Sequence, residues 1–150
     1  MPKITITKEF SFEAAHVLEG HDGPCRNIHG HSYKLLVTVS GTPVSDPSSP
    51  KKGMIMDFGD LKKIVRENII DPFDHSLILS EESSLRIGAR VSEAYSKILV
   101  VDFQPTSENL LGYFSGRLIP LLPEGIRLEC LRLRETANSY AEWHADPVTD

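Results

Sequence analysis

An apolar alternation over residues 32–41 (SYKLLVTVSG), entered directly from His29-Gly30-His31, constrains this chain more than any other stretch. Tyr33, Leu35, Val37 and Val39 recur at every second position, and side chains two apart share one face of an extended chain. The run therefore reads as a strand with one buried face, and His29 and His31 continue that face. Upstream, residues 3–16 alternate in the same way, with Phe10, Phe12, Ala14 and His16 on one side.

Two imidazoles on one face can act as neighbouring ligands of a single ion, and His16 is the candidate for a third. Three neutral imidazoles with an open fourth position is the donor set of catalytic zinc. Gly30 between the pair leaves room for a chain or ligand to approach closely. The plainer alternative is a set of ordinary strand-end histidines. Cys25 lies in the Gly- and Pro-flanked loop 17–28 beside the pair. It has three readings: a fourth ligand, a reactive thiol, or an incidental residue. Cys130, the other cysteine of the chain, falls in an alternating apolar run and reads as a small core residue. A disulfide is not expected in a reducing compartment.

Residues 41–53 (GTPVSDPSSPKKG) are turn-rich, and 54–56 reads as a short extended piece. Asp57 makes an N-cap, with Asp60 suited to the positive end of the helix dipole. Leu61, Ile64, Val65 and Ile69 give helical spacing, and Asp71-Pro72 is the expected stop. Residues 80–96 are ambiguous, and 98–103 reads as a buried strand. Thr106 or Ser107 caps a second helix, with Leu110, Leu111, Phe114, Leu118 and Leu121 as its apolar face and Pro123 and Gly125 closing it. Residues 126–136 and 138–144 read as two final strands. The expected class is α+β over a single domain, 1–150, with two helices covering one face of an antiparallel sheet.

Composition narrows the partners. A net charge of −5, from 16 basic and 21 acidic residues with no basic cluster, speaks against nucleic acid. No apolar run approaches the roughly 20 residues of a membrane helix. The N-terminus lacks the apolar core of a signal peptide, so a cytoplasmic location is expected.

Three further sites carry chemistry. Asp74-His75 sets a carboxylate beside an imidazole, which suits either acid–base work or a polar turn after a helix. Glu108 has an adequate structural task in the first turn of its helix. Glu135 ends a strand on the face of Leu131 and Leu133, where an inward carboxylate needs a partner. A ligand with paired N–H donors would serve, and so would Arg132 or Arg134.

Taken together, FSFEAAH (10–16), CRNIHGHSY (25–33), GMIMDFGDLK (53–62), FDHSLIL (73–79), QPTSENL (104–110) and RETANSYAEW (134–143) resemble the 6-pyruvoyl-tetrahydropterin synthase / 6-carboxytetrahydropterin synthase family over nearly the whole chain. The resemblance implies that His16, His29 and His31 bind Zn2+. It implies that Cys25 moves protons with help from Asp74 and His75. It further implies that Glu135 anchors a pterin ring, with Thr106 and Glu108 lining the pocket. The three residues between Cys25 and His29 are similar to the bacterial 6-carboxytetrahydropterin synthase branch. The pyruvoyl-forming animal branch has its cysteine farther upstream, and a folate-synthesis branch carries a glutamate in or beside this position. The implied fold is the tunnelling fold (T-fold): a four-stranded antiparallel sheet with two helices in ββααββ order. Its subunits join as homohexamers, dimers of trimers, with active sites between subunits. The implied substrate is a pterin triphosphate.

Overall fold

In the computed structural model, which describes residues 3–148, the elements run in chain order. They are β1 (Ile4–His16), β2 (His29–Gly41), α1 (Phe58–Val65), β3 (Ser76–Ser80), α2 (Glu81–Ala94), β4 (Ile98–Val101), α3 (Ser107–Leu118), β5 (Arg127–Thr136) and β6 (Ser139–His144). One sheet holds all six strands in the order β4-β3-β1-β2-β5-β6. β1 and β2 pair antiparallel without interruption, from Ile4 opposite Gly41 to His16 opposite His29. β3 lies parallel to β1, and β4 parallel to β3.

The expected four-stranded antiparallel sheet with two helices is therefore corrected to a mixed sheet of six strands with three helices. The additional strand pair and helix all come from residues 76–101. Parallel neighbours need a crossover, and α2 supplies the one between β3 and β4. Ser80 caps α2 by accepting from the Ser83 amide at 3.1 Å, and Glu81 and Glu82 sit at its positive end. Ser83 is its one buried residue and Leu85 is 91% exposed, so α2 carries no apolar stripe. β4 is an edge strand with Val100 exposed, not the buried strand expected from its run of apolar residues.

Asp57 caps α1 as expected, accepting from the Gly59 amide at 2.7 Å. The helical path nevertheless continues past Asp71-Pro72. It widens into a π-turn over Arg66–Ile70 and closes with a last turn, Asp71–Phe73. Pro72 falls in the first turn of that closing segment, where a missing N–H costs little.

The core lies on one face of the sheet. Phe10, Phe12 and Ala14 of β1, Tyr33 to Val39 of β2 and Leu128, Leu131 and Leu133 of β5 pack beneath α1 and α3. Phe12 stacks on Tyr33 at 4.9 Å and meets Phe73 and Phe114 edge-on at 6.4 and 6.3 Å. A ring buried this way contributes about 3–5 kcal/mol. Leu121, expected on the apolar face of α3, lies beyond its end and is exposed.

β5 keeps its leucines inward only through a bulge. Leu128 and Leu131 are an odd number of residues apart, which an unbroken strand would place on opposite faces. The register slips between Thr38, opposite Cys130, and Val39, opposite Leu128, leaving Glu129 as the extra residue. Cys130, expected in the core, alternates with the inward Leu131 and so lies on the outer face as a half-buried free thiol.

Candidate metal centre

His16 is the last residue of β1 and His29 the first of β2, and the two are direct cross-strand partners. His31 follows on the same face. The three rings lie 4.5 to 5.1 Å apart between centroids. His16 Nδ1 is 2.7 Å from the Pro105 carbonyl, and His29 Nδ1 is 2.8 Å from that of Asn27. A carbonyl only accepts, so both Nδ1 atoms carry the proton and both Nε2 atoms of the neutral rings hold lone pairs. Yet these Nε2 atoms are 3.0 Å apart. Two acceptor nitrogens facing each other at that range suit a cation shared between them.

The remaining groups point to the same place. His31 Nε2 is buried without a hydrogen-bond partner. Glu135 Oε1 stands 3.2 Å from it and 3.6 Å from His16 Nε2. The shorter contact does not make a hydrogen bond, and it sets a carboxylate beside the three imidazoles. Two nitrogen ligands of a tetrahedral zinc ion are about 3.3 Å apart, close to the spacing observed. Burial holds His16 below its ordinary pKa, against the opposing effect of the Pro105 bond. Burial likewise outweighs Glu135 at His31. Burial thus favours the neutral, ligating form of His16 and His31, and the donor set of three imidazoles fits zinc. Glu135 continues the inward face of Leu131 and Leu133, and the β5–β6 register skips it, pairing Arg134 with Tyr140 and Thr136 with Ser139.

An outer layer fixes the rings. Gln104 accepts from the Glu19 amide at 3.2 Å and donates to the Glu19 carbonyl at 2.9 Å. The Glu19 carboxylate in turn accepts from Ser83 Oγ at 2.5 Å and Arg86 Nε at 2.7 Å, and these bonds hold its pKa below the usual range. The loop after β1, the helix α2 and the segment carrying the Pro105 carbonyl are thereby tied together. Pro105, Asn27, Gln104 and Glu19 were not singled out from sequence. Two of them act through backbone carbonyls, which leave no side-chain signature. Thr106 caps α3, accepting from the Asn109 amide at 3.2 Å, and Glu108 is exposed in its first turn.

Asp74 and His75 sit where the chain enters β3. Asp74 Oδ1 accepts from the Glu13 amide at 2.8 Å, and Oδ2 lies 3.1 Å from His75 Nδ1. The Glu13 amide above all keeps this carboxyl below its ordinary pKa. His75 adopts φ 60°, a left-handed conformation uncommon for a residue with a Cβ. It lines an open cleft of about 380 Å³ together with Ala14, Ala15, Gly30, His31 and Ser76. A Cβ on Gly30 would lie 3.3 Å from the Ala14 carbonyl oxygen, so the close approach expected there is that of β1. Cys25 is half-buried on a short 3-10 turn, Pro24–Arg26, and is not among the residues lining this cleft. The structure thus assembles His16, His29, His31 and Glu135 at one point. His75 stands along the adjoining cleft, and Cys25 lies in the loop connecting His16 to His29.

The sequence profile of the 6-pyruvoyl tetrahydropterin synthase family matches residues 5–146. A 6-carboxy-5,6,7,8-tetrahydropterin synthase from Haemophilus influenzae is 41% identical over 140 residues, covering 92% of this chain and 96% of its own. A protein of the same name from Synechocystis is 38% identical, covering 78% of this chain and 98% of its own. Among solved structures, an uncharacterised protein from Wolinella succinogenes superimposes with a TM-score of 0.80 at 21% identity, over 97% of this chain and all of its own. The 6-pyruvoyl tetrahydropterin synthase of Caenorhabditis elegans gives 0.68 at 26% identity, over 97% and 98%.

Proposed function

This chain belongs to the 6-pyruvoyl tetrahydropterin synthase family, and we propose that it acts as the 6-carboxytetrahydropterin-forming member. In this reading it converts 7,8-dihydroneopterin triphosphate and water to 6-carboxy-5,6,7,8-tetrahydropterin, acetaldehyde and triphosphate, an early step towards queuosine and related deazapurines. The observation that carries the proposal is the convergence of three imidazole nitrogens with the Glu135 carboxylate beside them. The names of the similar bacterial proteins, and the three residues between Cys25 and His29, support this branch.

His16, His29 and His31 would hold the zinc ion, which would supply Lewis acidity to the substrate side chain. Glu135 accepts from the ring N–H and amino group of the pterin, holding the side chain over the imidazoles and making the proton transfers effectively intramolecular. Thr106 and Glu108 border the ring. Cys25 takes the proton from the carbon beside a hydroxyl, and the Asp74–His75 pair returns protons where they are needed. The carbon–oxygen bond to triphosphate breaks first. Carbon–carbon cleavage then releases the two terminal carbons as acetaldehyde, with water supplying the balance of the carboxyl group. In this reading the chain assembles as a dimer of trimers with active sites between subunits, so that the Asp74–His75 pair and Cys25 of one site need not belong to the same chain.

Product analysis by mass spectrometry tests the assignment. Acetaldehyde and 6-carboxytetrahydropterin should appear in equal amounts, and a chelator should abolish both. Retention of the three-carbon side chain would instead assign the chain to the pyruvoyl-forming activity named by the family profile. Glu135→Ala should keep its zinc while KM rises on the order of 10²-fold, because two hydrogen bonds to a charged group together contribute about 3 kcal/mol or more. An unchanged KM would remove the ring anchor from Glu135.

A further inference from the structure

The strand pattern that builds the metal centre occurs a second time, on the other face of the sheet. At the first centre His29 and His31 stand two apart on β2, with His16 directly opposite His29. On the edge strand β6, Glu142 and His144 stand two apart, with Cys130 of β5 directly opposite His144. The period of two puts Glu142 and His144 on one face, and Cys130, alternating with the inward Leu131 and Leu133, meets them there. Cys130 Sγ lies 3.6 Å from Glu142 Oε2, and His144 Nε2 lies 3.4 Å from the same oxygen. All three donor atoms fall within 4.8 Å of one another. Ligands held 2.0–2.3 Å from a tetrahedral zinc ion are themselves about 3.3–3.7 Å apart. Two of the three edges already have that length.

We propose that Cys130, Glu142 and His144 form a second divalent-cation site of the zinc type. Thiolate and carboxylate together neutralise a dication, and the imidazole adds a neutral donor. A mixed sulfur, nitrogen and oxygen set selects zinc-like ions over magnesium or calcium, which prefer oxygen alone. Binding releases the thiol proton to solvent. The site is separate from the pterin chemistry, since Cys130 is five residues from Glu135, roughly 16 Å along the strand, and faces the other way. Arg132 is the built-in competitor: its Nη2 lies 3.5 Å from the same Glu142 oxygen. It also lies over the Tyr140 ring at 4.4 Å, which holds it when a cation takes the carboxylate. An ion here staples the end of the edge strand to its neighbour.

Cobalt titration of the full-length Cys25→Ala chain tests this, because Cys130 is then its one remaining thiol. We expect two equivalents of Co2+ per chain, the second accompanied by a thiolate-to-cobalt charge-transfer band in the near ultraviolet. Adding Cys130→Ser should remove that band and the second equivalent while the first remains. Glu142→Gln and His144→Ala should each weaken the second equivalent at least ~10-fold, and Arg132→Ala should strengthen it. A single equivalent without the band overturns the proposal. So does a band that neither Glu142→Gln nor His144→Ala alters, which would be capture by a lone thiol.

Discussion

His29→Ala is expected to leave a folded chain that holds zinc 10²–10³-fold more weakly and forms no measurable product at limiting metal. Among the three imidazoles His29 is the one to remove, because it is half-buried at the mouth of β2. His16 is 1% exposed, and its loss would open a cavity in the core as well. A four-ligand structural zinc site is worth about 10–16 kcal/mol, so each ligand accounts for roughly 2.5–4 kcal/mol. One imidazole of this three-histidine centre on that scale sets the expected ~10²–10³-fold. The measurement is zinc content after dialysis against a graded series of chelator concentrations, with circular dichroism to show that the fold survives. Full zinc retention would mean that the ion sits elsewhere, and the function proposed for this face of the sheet would fall with it. The supporting carbonyls of Asn27 and Pro105 offer no comparable test, since a side-chain substitution does not remove a backbone oxygen.

The parts of this architecture that were legible in the sequence are those in which one periodicity runs uninterrupted. β1 and β2 alternate over their whole lengths and pair without a slip, so His16, His29 and His31 could be placed on one face before any register was known. Glu135 was legible for a related reason, since Leu131 and Leu133 fix the face it shares. Where the pattern breaks, reading by period fails. β5 slips at Glu129, which keeps Leu128 inward three residues from Leu131, while Cys130, next to Leu131, faces outward although its run is apolar. α2 buries a serine rather than a leucine, leaving no stripe to detect. β3 spans only Ser76–Ser80, too short for a period to register beside the helical turn before it. The π-turn hid the continuation of the first helix past Pro72, because the usual stop signal assumes α-helical spacing. Family motifs carried the remaining assignments, Cys25 and the Asp74–His75 pair, which periodicity alone left open.

Cys25→Ala is expected to lower kcat about 10²–10⁴-fold, the usual contribution of a positioned acid or base, while zinc content and KM stay near those of the unaltered chain. The loop carrying Cys25 leaves β1 at His16 and re-enters the sheet at His29, and these two residues are opposed in the register. Both ends of the loop are thus fixed at the metal. It is braced by the Leu18 amide donating to the Cys25 carbonyl at 3.0 Å and by the Gln104 clamp on Glu19. A compact loop pinned at both ends keeps its backbone in one place relative to the imidazoles. Cys25→Ser separates packing from chemistry: it preserves the volume but replaces a thiol with a hydroxyl that does not ionise near neutral pH. If both variants lose kcat together, the thiolate is the proton-transfer group. If serine restores turnover, Cys25 fills space and another group moves the proton. If either variant loses zinc, the thiol is a ligand and the centre has a fourth protein donor.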